Sequence, residues 1–294
     1  MTTRYDVDRA GLAELLADQP RYRVDQVWDG LWAQGREPQE LTNVPAAVRD
    51  RLDAELPAAL APVTESVTDD GRTVKWLFEL AGGARVETVL MHYRDRSTVC
   101  VSTQAGCAMA CSFCATGQAG FERHLSAGEI VEQVVVARRR AAADDGRRVS
   151  NVVLMGMGEP LANYDATWRA LRHLQADLGI GARHLTVSTV GLVPAIRRMA
   201  GEDLPVNLAV SLHAADDALR DELVPINRRH PIAELMDACR DYFDRTHRRV
   251  SFEWALIAGV NDRPVDADGL ARLARDVRAH VNLIPLNPTP GYAV

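Results

Sequence analysis

From Thr98 to Leu286 the sequence alternates short β-branched or apolar runs with longer stretches of helical periodicity, and nothing else constrains the fold as tightly. The runs are Thr98–Thr103, Asn151–Met155, Leu185–Val190, Val206–Leu212, Val250–Ile257 and Val281–Leu286. Between them, a capping box at Ser126-Ala-Gly-Glu129 opens a helix carrying Ile130, Val131, Val134 and Val135. Further helices are predicted from Tyr164, after Pro194, from Pro231 to Thr246 and from Asp266 to His280. Strands joined by helical crossovers run parallel, with helices covering the sheet. Six such units are fewer than the eight that close a TIM barrel. The expected fold is therefore α/β, an open, partial (β/α)6 barrel.

The segment ahead of this core reads differently. Residues 1–62 are predicted to be helical: one helix with Leu12, Leu15 and Leu16 on a face behind Asp6 or Asp8 as cap, a second from Arg23 to Gln34 closed by Gly35, and a third from Pro45. Trp28 and Trp32 fall on an apolar stripe and are assigned to the core rather than to base stacking. In residues 63–91 the period changes to two, with Val74, Trp76, Phe78 and Leu80 alternating between Asp70-Gly71 and Gly82-Gly83. The expected organisation is a helical accessory domain (1–62), a β-hairpin or meander linker (63–91) and a core (92–294).

In parallel βα folds, ligands sit beyond the carboxyl ends of the strands. Unusual residues collect there. Beyond the first strand comes Cys107-Ala-Met-Ala-Cys111-Ser-Phe-Cys114, holding three of the chain's five cysteines. Met155-Gly-Met-Gly-Glu-Pro-Leu161 follows the second, Ser188-Thr-Val-Gly191 ends the third, Ser211-Leu-His213 closes the fourth and Asn287-Pro288 the sixth. Three bunched thiols can ligate three irons of a [4Fe–4S] cluster, leaving one iron open to a small molecule. A zinc site needs a fourth ligand, for which His124 is the nearby candidate. A structural disulfide suits neither the clustering nor the odd count. Cys239, inside an amphipathic helix, is assigned to the core.

The spacing C-x3-C-x2-C with Phe113 before the last cysteine resembles the signature of radical S-adenosylmethionine (SAM) enzymes. In order along the chain, Gln104–Gly117, Gly156-Met-Gly-Glu-Pro-Leu161, Val187–Pro194, Leu208–His213 and Asn282–Pro288 resemble the RlmN family. That family consists of radical SAM methyltransferases acting on adenine C2 in 23S rRNA and in certain tRNAs. The resemblance implies that Cys107, Cys111 and Cys114 hold a [4Fe–4S] cluster whose open iron chelates SAM. It implies SAM binding by Gly158, Glu159, Ser188, Ser211, Leu212, His213 and Asn287. Glu87, which as a strand residue alone reads as solvent-facing, becomes the family's proton acceptor, and Cys100 its resolving cysteine. It also implies an external electron donor such as flavodoxin or ferredoxin, and a monomer.

The family chemistry explains the need for radicals. Adenine C2 is not nucleophilic, so direct methyl transfer from SAM cannot reach it. In the family, one SAM methylates a C-terminal cysteine and a second is cleaved to a radical that activates this methyl group for addition to C2. Glu87 would then take the C2 proton, and Cys100 would release the product by forming a disulfide with the methyl-carrying cysteine. No cysteine follows Cys239 here, and Pro290–Val294 carries no terminal element, so the sequence is expected to be truncated. Two alternatives follow from that lack: a SAM-cleaving enzyme with another substrate, and an RNA-binding remnant without methylation.

The net charge of −6 does not mark a bulk polyanion binder. Lys75 is the only lysine among 34 basic residues, and arginines pair at Arg147-Arg148, Arg197-Arg198, Arg228-Arg229 and Arg248-Arg249, with a triplet at Arg138–Arg140. These suit phosphate contacts as well as solvated helix faces. No apolar run opens the chain and none is long enough for a membrane span, so a cytoplasmic protein without membrane contact is expected.

Overall fold

The computed structural model describes residues 2–292; the expected truncation point at Ala293 and Val294 lies outside the described residues. In chain order come helices α1 (Arg9–Leu15), α2 (Tyr22–Trp28) and α3 (Ala46–Glu55), then strands β1 (Ala61–Thr68), β2 (Thr73–Glu79), β3 (Arg85–His92), β4 (Ser97–Cys100) and β5 (Gln104–Gly106). Next are α4 (Ala115–Ala119), β6 (Phe121–His124), α5 (Ala127–Asp145), β7 (Val149–Leu154), α6 (Tyr164–Ala176), β8 (Leu185–Thr189) and α7 (Val193–Ala200). The chain closes with β9 (Asn207–Ser211), α8 (Asp217–Leu223), α9 (Ile232–Thr246), β10 (Val250–Leu256), α10 (Pro264–Asp276) and β11 (His280–Pro285). All six expected core strands are present, as β4 and β7–β11. The chain divides into two compact units, the first comprising Met1–Ser102, Leu125–Val152 and Asp165–Gly181, the second Thr103–His124, Val153–Tyr164 and Ala182–Val294.

In the first unit, Asp8 caps α1 by accepting from the Gly11 amide at 2.7 Å. Asp6 does something else: its carboxylate accepts from the Gly128 amide (2.8 Å) and the Ser126 hydroxyl (3.0 Å), adding a cap to α5. The capping box itself closes as expected, with the Glu129 amide donating to Ser126 Oγ and the Ser126 amide to Glu129. The second predicted helix runs as α2 and then widens into a π turn over Asp29–Ala33 before Gly35 ends it with φ +63°. Trp28 and Trp32 are core residues, stacked on each other at 5.0 Å, with His173 also stacked on Trp32 at 4.6 Å. β1 to β4 form an antiparallel meander, and the alternating Val74, Trp76, Phe78 and Leu80 are all buried.

In the second unit, β8, β9, β10 and β11 pair in sequence order, all parallel. The near-continuous apolar content of β8, β9 and β10 (Val187, Leu208, Val210, Phe252 and Trp254, all buried) is what strands covered on both faces require, whereas β11 is largely exposed. One element departs from expectation. The predicted strand Thr98–Thr103 stops at Cys100, and Gln104–Gly106 forms a separate antiparallel ribbon with β6. The amides of Thr103 and Gln104 both turn to the Met157 carbonyl (2.9 and 3.2 Å), which ends the ladder there.

Candidate functional site

The β5–β6 ribbon frames the cysteine loop. Gly106 takes φ +71°, and a Cβ there would lie 2.0 Å from the Gly120 carbonyl oxygen, so only glycine lets the two strands close. The Cys107 amide donates to that same carbonyl at 2.8 Å, fixing the start of the loop. Gly117 passes less tightly by Cys111, whose backbone N and O would lie 3.0 and 3.1 Å from an added Cβ. From below, the Ser112 amide donates to Leu223 O (3.1 Å), and Phe113 sets its ring edge-on to His213 with centroids 4.7 Å apart.

Cys107, Cys111 and Cys114 line one cavity of about 230 Å³, together with Gly158, Glu159, Ser188, Ser211 and His213. Eight of the candidate residues are thereby brought together. Leu212 and Asn287 are not in the cavity wall: Leu212 is fully buried, and Asn287 is exposed just beyond β11, whose Ile284 does reach the cavity. Among the described residues no three Cys, His, Asp or Glu side chains converge tightly enough to hold a single metal ion. Three thiols spread around one cavity suit a group of several atoms better than one zinc ion. His124 is engaged elsewhere, its Nδ1 3.0 Å from Gln104 Nε2.

Most charged groups around the cavity are consumed by the protein's own backbone. Glu159 is buried; its Oε1 accepts from the Leu161 amide and its Oε2 from the Val190 amide, both at 2.9 Å. Burial pushes its pKa up to about 7 against the pull of these bonds. Its own amide donates to Gln104 Oε1 at 2.8 Å. Gly158 beside it, at φ +99°, would put a Cβ 2.5 Å from Gln104, so this glycine is dictated by close packing. His213 sits at φ +60°, a left-handed conformation uncommon outside glycine, and its Nδ1 accepts from the Ala255 amide at 3.0 Å. Burial, then the Arg220 charge, depresses its pKa to about 3, so the ring is neutral and Nε2 carries the proton.

The thiols respond to the same environment. Burial pushes Cys111 up to about 12, with the Cys114 and Cys107 sulfurs adding to it, and burial raises Cys107 as well. A bound cation reverses this balance by ligating the thiolate form.

Three further groups, assigned no role from the sequence, shape the site. Arg220, on α8, is completely buried and donates to Leu212 O (3.0 Å), Val190 O (2.7 Å), Ser211 O (3.2 Å) and Asn227 Oδ1 (2.9 Å). It ties together the carboxyl ends of β8 and β9. Glu253 lines the cavity from β10, accepting from Asn282 Nδ2 at 2.7 Å, with its pKa raised by burial. Thr189 accepts from the Gly191 and Leu192 amides. Of these, Glu253 was detectable, as a carboxylate set in the apolar run Phe252-Glu-Trp-Ala255.

Glu87 and Cys100 belong to the first unit, on β3 and β4. Val89 pairs with Cys100, so Glu87, two residues along β3, lies on the same sheet face as Cys100. Glu87 is half-buried and forms an ion pair with Lys75 at 3.0 Å. None of the five cysteines is in a disulfide, and Cys239 is a core residue, fully buried in α9.

Residues 101–268 match the family model described as the Radical SAM superfamily. A crystal structure of a radical SAM methyltransferase from Sphaerobacter thermophilus matches with a TM-score of 0.94 at 52% identity, covering 99% of this chain and 87% of that one. Fold and site thus define a radical SAM protein, and that superfamily implies an iron–sulfur cluster and SAM. Proteins named probable dual-specificity RNA methyltransferase RlmN are close relatives. The one from Salinispora tropica is 55% identical over 97% of this chain and 80% of its own length. Those from Chloroflexus aurantiacus (53%, over 98% and 80%) and Frankia casuarinae (58%, over 93% and 68%) are similar. The chain belongs to the RlmN family.

Proposed function

We propose that this protein is a SAM-dependent RNA methyltransferase that places a methyl group on C2 of an adenine in 23S rRNA and in certain tRNAs, through a methyl-cysteine intermediate whose cysteine is not among the five of this sequence. The observation that carries this reading is the single cavity that gathers three cysteines, a backbone-lined glycine edge, two serines and a neutral histidine, in a chain of this family. Cys107, Cys111 and Cys114 would hold a [4Fe–4S] cluster by three thiolates, and the donor set fits it. When bound, cluster and SAM supply the radical chemistry that an unactivated aromatic carbon requires.

The chain's own residues orient and protect. The Ser188 and Ser211 hydroxyls, His213 Nε2 and the second oxygen of Glu253 are the groups we assign to SAM's polar parts, alongside the Gly158–Glu159 backbone. Asn287 and Leu212 act from the cavity's margin. Glu87 accepts the C2 proton and Cys100 resolves the methyl-carrying cysteine, two roles suited to their shared sheet face. Cys239 takes no part. The electron comes from an external donor such as flavodoxin or ferredoxin, and the protein works as a monomer in the cytoplasm; no helix among the described residues is long and apolar enough to cross a membrane. Residues 1–62 serve as an accessory domain to the core at 92–294, joined through 63–91.

The test is anaerobic cluster reconstitution of the protein as its native source makes it, with SAM, reductant and unmodified 23S rRNA fragment or tRNA. Mass spectrometry of the digested RNA is expected to show 2-methyladenosine. Its absence with a fully loaded cluster overturns the proposal.

A further inference from the structure

In a chain with net charge −6, one cavity of the first unit, of about 470 Å³, is walled by four arginines, Arg138, Arg139, Arg147 and Arg148. The local fold gathers them. Arg138 and Arg139 lie on α5; Gly146, left-handed at φ +73°, ends that helix and turns the chain so that Arg147 and Arg148 return beside it.

Arg138 is held in place by carbonyl oxygens, which fix a guanidinium without neutralising it. Arg138 donates to Ala33 O (3.3 Å) and Leu178 O (3.5 Å) and has no carboxylate partner among the described residues. Arg139 donates to Gly35 O (2.8 Å) and pairs with Glu40. Arg147 donates to Tyr93 O (3.1 Å). Arg148 has neither a hydrogen bond nor an ion pair among the described residues, and its charge lies close enough to Arg138 to help depress that residue's pKa, after burial. Two neighbouring cations with unspent donors, in a concave wall set by the backbone, are stabilised by an anion between them. A guanidinium has five N–H donors, and its planar fork matches phosphate oxygens in a bidentate way.

We propose that this cavity binds phosphate groups of the substrate RNA's backbone and so positions the RNA on the first unit. This rests on the reading of the protein as an RNA methyltransferase and adds the surface that holds the substrate. Such contacts carry no sequence information; they set register and orientation.

The experiment measures binding of an unmodified tRNA transcript to the cluster-loaded full chain across a salt series. Each phosphate contact contributes roughly 0.7 to 0.9 to the slope of log K against log salt. Arg147→Gln/Arg148→Gln is expected to lower that slope by about 1 to 2 and to weaken binding about tenfold at low salt. Arg148→Lys keeps most of the affinity. Both altered arginines are exposed, so circular dichroism and cluster absorbance remain those of the wild type. An unchanged slope and affinity in the double variant overturns the phosphate site while leaving the methyltransferase reading intact. A wild-type protein that binds no transcript overturns both.

Discussion

Replacing Arg220 by methionine tests whether one buried cation sets the floor of the cavity. The guanidinium is fully buried and supplies donors to three carbonyls and to Asn227. Methionine keeps much of the stem volume but leaves the Val190, Ser211 and Leu212 carbonyls without these bonds. A buried acceptor stripped of its donor costs about 1–3 kcal/mol. Removing the guanidinium also removes its desolvation penalty, which is several kcal/mol for a buried ion and here already pulls the Arg220 pKa down to about 10. The net expectation is a loss of roughly 2–4 kcal/mol, or a fall in Tm of about 3–7 °C for a chain of this size. Because the freed carbonyls belong to the strand ends carrying Ser188 and Ser211, SAM affinity falls as well. Thermal unfolding by circular dichroism and calorimetric titration with SAM read the two effects. Arg220→Lys, with a charge but no fork, falls between wild type and methionine. A methionine variant with Tm within about 2 °C of wild type and unaltered SAM affinity would refute the reasoning.

Cys111→Ala is expected to abolish the reconstituted cluster's visible absorbance, whereas Cys239→Ser retains it while losing about 1–3 kcal/mol of stability, since it buries a hydroxyl in the core; absorbance and urea midpoints check both. Gly106→Ala places a Cβ 2.0 Å from Gly120 O at φ +71°, costing more than about 2 kcal/mol locally, and iron bound per chain should drop with the ribbon disrupted. Glu132, buried against the Ala59 and Leu60 amides, has its pKa raised to about 7 by burial. A raised pKa means that the folded state binds the proton more tightly, so this contribution is full below about pH 4.5 and is lost as pH climbs through about 7, a change of roughly 3 kcal/mol. Glu132→Gln should flatten stability between pH 5 and 8, read from denaturant midpoints; an unaltered slope refutes it.

The parts of the molecule that were legible in the sequence are those governed by periodicity or by local pairing. The alternation of Val74, Trp76, Phe78 and Leu80, the Ser126–Glu129 box and the six core strands depend on neighbours within a few residues, and these are what sequence patterns record. The three cysteines were legible because ligand geometry demands short spacing. The β5–β6 ribbon was not, since strands of three and four residues have no period to detect, and its close approach is written only in Gly106. Asp6 escaped too: its partner helix begins some 120 residues later, and no local signal separates it from Asp8 as a cap. Arg220 lies in Asp-Ala-Leu-Arg-Asp-Glu-Leu, a segment that reads as a charged surface helix. Only the fold shows that this arginine points inward.

The same distinction decides which candidate side chains are available to a ligand. The sequence marks Glu159 and His213 as polar groups at strand ends, but the structure shows most of their capacity already used. Both Glu159 oxygens accept backbone amides, and His213 Nδ1 is occupied by Ala255. The Ser188 and Ser211 hydroxyls, by contrast, have no hydrogen-bond partner among the described residues although both line the cavity. Both hydroxyls open into the cavity and are not spent on the protein's own groups, so they are free to bond a ligand. Glu159 therefore acts on a ligand chiefly by fixing its own loop and the Val190 amide, and the serines are the groups that meet the ligand directly. Ser188→Ala and Ser211→Ala should weaken SAM binding several-fold each with Tm held, because each removes a hydroxyl that makes no bond within the protein. Glu159→Gln should instead lower Tm, since the amide nitrogen faces an N–H donor. If the serine variants lose stability in the absence of SAM, or if Glu159→Gln leaves Tm unchanged, this division between ligand-facing and scaffold groups is wrong.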